Sequence, residues 1–259
     1  MRPYYQNAHG VLWQGDCLAV MGYLQIEYGA RFADMVLCDP PYGTTACAWD
    51  SVIPFEKMWG RLLPIVKPGR ATVMTAAQPF TSFLVASRPG HFKYALVWKK
   101  SKICHFAQAP YRFLTEHEDV LVFSDGGVSK NAGLRMVYNP QGTTPCHKVC
   151  KGKGFSEHRP VQTKQDDYVQ TTTGYPKSIL EFASDPAKEH PTQKPAALFA
   201  YLIQTYTNPG ETVLDFCAGS GTTAVAAEMT GRKWICVEKE EKYCELIAKR
   251  LEARKEKIA

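Results

Sequence analysis

Two short motifs, each directly following an apolar run, constrain the fold of this chain more than any other feature. Asp39-Pro40-Pro41-Tyr42 follows the run at 32–38, and Asp215-Phe216-Cys217-Ala218-Gly219-Ser220-Gly221-Thr222-Thr223 follows the one beginning at residue 212. An apolar run of strand length bounded by turn residues reads as a strand covered on both faces, the situation of a parallel sheet between helices. Further strands are expected at 71–76, 94–98, 118–123, 212–216 and 233–237. Helices are expected at 54–66, 79–87, 195–206 and 222–230, with a charged helix from residue 240 onward. Alternation of this kind predicts an α/β, doubly wound, mostly parallel sheet. Ligands of such sheets bind beyond the carboxyl ends of the strands, so Asp39 and Asp215 are expected to face one crevice.

The two motifs carry complementary chemistry. Asp39 offers a carboxylate, Pro40 and Pro41 a stiff turn with outward carbonyls, and Tyr42 an aromatic ring, the groups needed to hold the exocyclic NH2 of a flat molecule. Gly219-x-Gly221 opens a helix and lets a nucleotide-like cofactor approach the backbone, because glycine has no side chain and tolerates positive φ. No Lys-Ser/Thr ending of a phosphate loop is present, and Glu238 ends the next strand, where a carboxylate can accept from both ribose hydroxyls. Taken singly, Asp-Pro-Pro-Tyr is a tight turn and Gly-x-Gly a packing turn. Their joint placement after strands favours the chemical reading.

The formal charge of +6 is concentrated in the middle of the chain. Residues 91–180 hold 13 Lys/Arg against 7 Asp/Glu, while the rest of the chain is balanced at 18 of each. A basic surface of this kind attracts a phosphate backbone, and Tyr111, Arg112, Phe113, Tyr138 and His147 within it can stack on bases. A solvated lysine-rich loop is the plainer alternative. Glycines at 126, 127, 142, 152 and 154 and the scarcity of periodic apolar positions predict a small loop-rich insertion here. No run approaches a membrane span, the start lacks the apolar core of a secretory signal, and the nine cysteines are scattered and odd in number. A cytoplasmic, reducing location with no membrane partner is expected.

With these residues in this order, the chain resembles the amino-group DNA methyltransferases of the permuted class, in which the catalytic tetrapeptide precedes the cofactor-binding half. Gly15-Asp16-Cys17, Trp98-Lys99, Glu118-Asp119-Val120-Leu121-Val122-Phe123 and His190-Pro191-Thr192-Gln193-Lys194-Pro195 extend the resemblance over most of the chain. It implies S-adenosylmethionine as cofactor, and double-stranded DNA as the partner that presents a flipped-out base. It further implies a homodimer of bacterial or bacteriophage origin, acting as a modification enzyme. It divides the chain into a catalytic half at 1–123, a target-recognition insertion at 124–178 and a cofactor-binding half at 179–259. Asp39, Pro40, Pro41 and Tyr42 become the catalytic set. Asp16, Cys17, Asp39, Thr192, Lys194, Asp215, Phe216, Cys217, Ala218, Gly219, Ser220, Gly221, Thr222, Thr223 and Glu238 become the cofactor set, with Thr192 and Lys194 near the cofactor carboxylate.

Candidate DNA contacts by charge are Lys99, Lys100, Lys102, Arg112, Arg135 and Arg159. Within the family, Asp at the head of the tetrapeptide points to N6 of adenine. N4 of cytosine is the alternative with the same chemistry, an RNA or protein amide methyltransferase is a more distant one, and a DNA-binding protein with a decayed pocket is the non-enzymatic one. Cys146, His147 and Cys150, with His158 nearby, lack a second paired cluster, so no metal is expected. Trp49 is read as a packing residue.

Overall fold

The computed structural model describes residues 1–44, 50–104, 106–152, 167–183, 185 and 193–258. These form two compact units, one of Met1–Asn139 with Ser178–Ala259 and one of Pro140–Lys177.

The larger unit contains β1 (Tyr5–Gln6), β2 (Gly10–Gln14), α1 (Cys17–Tyr28), β3 (Ala33–Cys38), α2 (Phe55–Leu62), β4 (Val66–Ala76) and α3 (Phe80–Ser87). The chain continues through β5 (Phe92–Cys104), a 3-10 turn at Phe106–Gln108 and β6 (Thr115–Phe123). The smaller unit holds β7 (Thr144–Cys150) and β8 (Tyr168–Thr173), an antiparallel hairpin. The larger unit resumes with β9 (Ile179–Glu181), α4 (Ala196–Tyr206), β10 (Thr212–Asp215), α5 (Thr222–Met229), β11 (Lys233–Glu238) and α6 (Glu241–Ile258).

Its nine strands form one sheet in the order β1-β2-β11-β10-β3-β4-β6-β5-β9. The five central strands, β2, β11, β10, β3 and β4, are mutually parallel, while β6 runs antiparallel to both β4 and β5. Side chains alternate between the two faces with the strand period of two. Met35 and Leu37 of β3 and Val213 of β10 pack with α4, α5 and α6 through Phe199, Ala227 and Ile247. Val36, Cys38 and Leu214 pack on the opposite face with α1, α2 and α3 through Leu24, Met58 and Leu84. Both faces are therefore covered, which is why the central strands read as unbroken apolar runs.

Several boundaries differ from the sequence reading. The helix expected over 54–66 stops at Leu62, since Pro64 can donate no helical hydrogen bond, and β4 begins at Val66 rather than at 71. α1 was not foreseen, although Asp16 caps it by accepting from Leu18 N and Ala19 N. β5 and β6 are longer than expected because they continue as a polar ribbon past the apolar positions. Residues 124–139 run in the larger unit, where Val137 N donates to Gly69 O.

At the end of the sheet opposite the two motifs, Arg70 forks onto Glu211 at 2.7 and 2.6 Å and reaches Asp34 at 3.3 Å. Lys67 and Thr212 N also bond Asp34, which is buried. Burial pushes the Glu211 carboxyl up, but the Arg70 hydrogen bonds and charge outweigh it and hold the group below its ordinary value. Arg70→Ala, which leaves the Glu211 carboxylate without its cation, is expected to lower unfolding free energy by about 2–3 kcal/mol in urea titrations at pH 7. Because the folded value is depressed, the Glu211 contribution is present above the ordinary carboxylate pKa and lost as pH falls through the folded one. The deficit should therefore shrink below about pH 4.

Candidate active site

The parallel register brings the motif residues to one edge. Gln14 pairs with Glu238, Cys236 with Asp215 and Leu214 with Val36, so the chain leaves β2, β11, β10 and β3 side by side. Beyond these ends lies a cavity of about 790 Å³ lined by residues from Gly15 to Leu18, Asp39 to Tyr42 and Asp215 to Ser220, with Glu238, Lys194 and Glu118 among the others.

Asp39 is held through both carboxylate oxygens. Its Oδ1 accepts from Tyr42 OH at 2.7 Å and from Thr75 Oγ1, and its Oδ2 accepts from Lys194 Nζ at 2.8 Å. Lys194 is 6% exposed and lies 3.2 Å from Glu118 Oε2, while Lys100 Nζ stands 2.6 Å from Glu118 Oε1. Two carboxylates and two ammonium groups thus form one neutral, largely buried chain, Asp39–Lys194–Glu118–Lys100. Burial alone would lower the Lys194 pKa, but the Asp39 and Glu118 carboxylates more than offset it, and the group stays a cation. Burial, and then the Asp39 and Glu118 charges, push the Tyr42 hydroxyl well above its ordinary value, so it remains a neutral donor. The Tyr42 ring stacks on Phe80, and Asp50 clamps the loop that follows by accepting from Gly43 N and Thr44 N.

The second motif builds the other wall. Gly219 has φ +52° with nothing near the place a Cβ would take, so a bound molecule can approach its backbone there. Gly219 N donates to Glu238 Oε2 at 2.7 Å and Glu240 N to Glu238 Oε1 at 2.8 Å. Burial raises the Glu238 pKa, and these backbone donors partly offset that. Asp215 is fully enclosed, and burial pushes its carboxyl up to about 7 despite hydrogen bonds from Thr223 Oγ1 at 2.5 Å and Cys217 N at 3.0 Å. Cys17 and Cys217 line the cavity, and Cys38 lies behind them with its thiol raised by burial.

Of the expected residues, Asp16, Cys17, Asp39, Pro40, Pro41, Tyr42, Lys194, Asp215, Phe216, Cys217, Ala218, Gly219, Ser220, Thr222 and Glu238 line the cavity. Gly221 and Thr223 support it from behind. A Cβ on Gly221 would stand 2.7 Å from Ile247, and Thr223 is fully buried against Asp215. Lys194, expected near a cofactor carboxylate, lines the cavity and is paired with Asp39. Lys100, expected at phosphate, is committed to Glu118 inside the wall, because a buried carboxylate needs a cation more than the surface does.

Lys102 lines the cavity, Arg112 and Arg135 are exposed, and Lys99 pairs loosely with Glu181 at 3.5 Å. Trp49, His158, Arg159 and Thr192 lie outside the described residues. Cys146 and Cys150 each donate to Gln170, through its backbone and side-chain oxygens respectively. No group of metal-ligating residues occurs among the described residues. No site role was read for Thr75 or Glu118, although Glu118 heads one of the motifs that carry the resemblance and both stand in strands that reach the cavity.

Comparison with known proteins fits this geometry. The chain is 25% identical over 280 residues to Type II methyltransferase M2.DpnII of Streptococcus pneumoniae, covering 98% of this chain and 94% of that one. It is 23% identical to Type II methyltransferase M2.LlaDCHI of Lactococcus lactis subsp. cremoris, at 96% and 92% coverage. Among solved structures, the fold matches the M1.HpyAVI–SAM complex with TM-score 0.61, 22% identity and coverage of 92% and 98%. It also matches the cytosine-N4-specific PvuII DNA methyltransferase with TM-score 0.67, 16% identity and coverage of 96% and 88%. The N6/N4 family profile described as DNA methylase matches residues 33–250, a span that contains Asp39 to Tyr42, Lys194 and the Gly219 turn with Glu238, and the chain belongs to that family.

Proposed function

We propose that this protein methylates the exocyclic amine of a base in double-stranded DNA, N6 of adenine, with S-adenosylmethionine as donor. The observation that carries the reading is the Asp39 carboxylate in the same cavity as the Gly219 turn and Glu238. The donor set suits the cofactor. Gly219 leaves open space at its Cα, and Glu238 is a buried carboxylate at a strand end where ribose hydroxyls need acceptors. S-adenosylmethionine supplies a methyl group already activated on a sulfonium.

The residues of the chain then position and polarise. Asp39 and the Pro40 carbonyl accept the two N–H bonds of the amine, drawing its delocalised lone pair out of the ring plane and stabilising the positive charge that develops on nitrogen. Tyr42 and Thr75 hold Asp39 Oδ1, which fixes the carboxylate plane. The base must leave the duplex to reach this depth, and the Tyr42 ring offers it a stacking surface. Asp at the head of the tetrapeptide supports adenine through the family resemblance. The shared fold with a cytosine-N4-specific enzyme supports N4 of cytosine as the second reading. The Type II relatives support a place beside a restriction activity.

Lys99, Lys102, Arg112, Arg135 and Arg159 are proposed to meet phosphate, and residues 124–178 to read the target sequence. The tip of the β5–β6 ribbon carries Phe106, Tyr111 and Phe113 at 66, 88 and 96% exposure, beside Arg112. These rings suit stacking on unpaired bases next to a flipped nucleotide. Replacing both Tyr111 and Phe113 by alanine is expected to raise KM for duplex DNA about tenfold and leave cofactor affinity unchanged. Methylation kinetics and calorimetry check both.

The deciding experiment incubates the protein with labelled S-adenosylmethionine and unmethylated genomic DNA, followed by nucleoside mass spectrometry. N6-methyladenine supports the reading and N4-methylcytosine moves it to the second. No label in DNA despite cofactor binding overturns both and points to RNA or protein.

A further inference from the structure

The neutral chain behind Asp39 contains an asymmetry. Lys194 Nζ lies within reach of two carboxylate oxygens, Asp39 Oδ2 at 2.8 Å and Glu118 Oε2 at 3.2 Å, but it hydrogen-bonds only the first. Glu118 Oε2 is buried and, among the described residues, receives no hydrogen bond. An ammonium carries three N–H donors, so Lys194 can turn one toward this buried acceptor, whose missing hydrogen bond is costly and calls for explanation. Asp39 Oδ2, meanwhile, keeps one lone pair on which the target amine can donate, while the ammonium on the other offsets the negative charge that the amine needs.

We propose that Lys194 is a placeholder cation that occupies Asp39 Oδ2 until the target amine arrives and then moves onto Glu118 Oε2. The proposal rests on the amine-methylating reading given above and adds two positioning residues to it. The exchange keeps each buried charge partnered throughout. Before it, Lys194 neutralises Asp39 and Lys100 holds Glu118 through Oε1 at 2.6 Å. After it, the amine satisfies Asp39 Oδ2, and Lys194 satisfies the oxygen of Glu118 that had no hydrogen bond. Both ammonium groups remain in the chain, so its charges stay balanced as positive charge develops on the amine. Without Glu118, Lys194 has no second seat and competes with the substrate for Asp39.

The test has a direct and a kinetic arm. In 1H–15N spectra of lysine ammonium groups, Lys194 is expected to give a resonance protected from exchange, identified by its loss in Lys194→Arg. Asp39→Asn should shift that resonance without removing it, because Glu118 receives the ammonium. Adding Glu118→Gln to Asp39→Asn should broaden it away. Loss of the resonance already in Asp39→Asn, or its persistence in the double variant, overturns the proposal whether or not DNA is the substrate.

In the kinetic arm, Glu118→Gln is expected to lower kcat about 100-fold in the wild-type background and less than threefold in the Lys194→Met background, with cofactor affinity unchanged. Equal costs in both backgrounds mean that Glu118 does not act through Lys194. An absence of methylated DNA from the wild-type protein bears on the proposed function alone, since the spectral arm needs no substrate.

Discussion

Asp39→Ala is expected to lower kcat for methyl transfer by about 10³-fold, near 4 kcal/mol of transition-state stabilisation, and to leave S-adenosylmethionine affinity within about threefold. The loss is large because one side chain serves two purposes. Its Oδ2 is the proposed acceptor for the amine, and its Oδ1 ties together Tyr42 and Thr75, so deletion also releases the ring proposed to carry the base. It leaves Lys194 as a buried cation beside Glu118, with no carboxylate at the reaction centre. Asp39→Asn separates these effects. An amide keeps an acceptor for Tyr42 or Thr75 but offers the amine no negative charge, and it should recover stability without recovering rate. Single-turnover kinetics with calorimetry for the cofactor check this pair. Normal turnover in Asp39→Ala would remove the carboxylate from the mechanism.

Asp39, Gly219 and Glu238 were legible in the sequence because backbone geometry alone puts them in place. Each stands at or just after the end of a strand whose apolar run is continuous, and parallel neighbours end at the same edge. Period and turn chemistry carry that information locally. The partners of Asp39 were not legible. Lys194 reaches it across 155 positions and Thr75 from the neighbouring strand, and no local pattern encodes which carboxylate a buried lysine selects. Lys100 illustrates the same limit: three lysines at 99, 100 and 102 look alike as a basic run, yet strand alternation turns Lys100 toward Glu118. α1 escaped notice because its apolar residues are spread around the helix and Gly22 interrupts it, so no amphipathic stripe marked it. Most residues of the β7–β8 hairpin are exposed, so it lacks the apolar alternation that identifies a half-buried strand.

Glu238→Ala is expected to weaken S-adenosylmethionine binding about 100-fold, near 2.7 kcal/mol, with kcat at saturating cofactor falling much less. The carboxylate holds Gly219 N through one oxygen and Glu240 N through the other, so it fixes both the glycine turn and the start of α6. Each oxygen keeps a further lone pair for a ribose hydroxyl. Alanine removes all four acceptor positions and leaves Gly219, at φ +52°, without the bond that holds its turn. Glu238→Gln restores one carbonyl acceptor and should recover part of the affinity, whereas a role confined to structure would show in thermal stability and leave the two variants alike in binding. The pair also opposes Asp39→Ala: one substitution removes cofactor affinity and spares the chemical step, and the other does the reverse. That separation is what two walls built from different strand ends demand, and Glu238→Ala binding cofactor as tightly as the wild type would place the ribose elsewhere in the cavity.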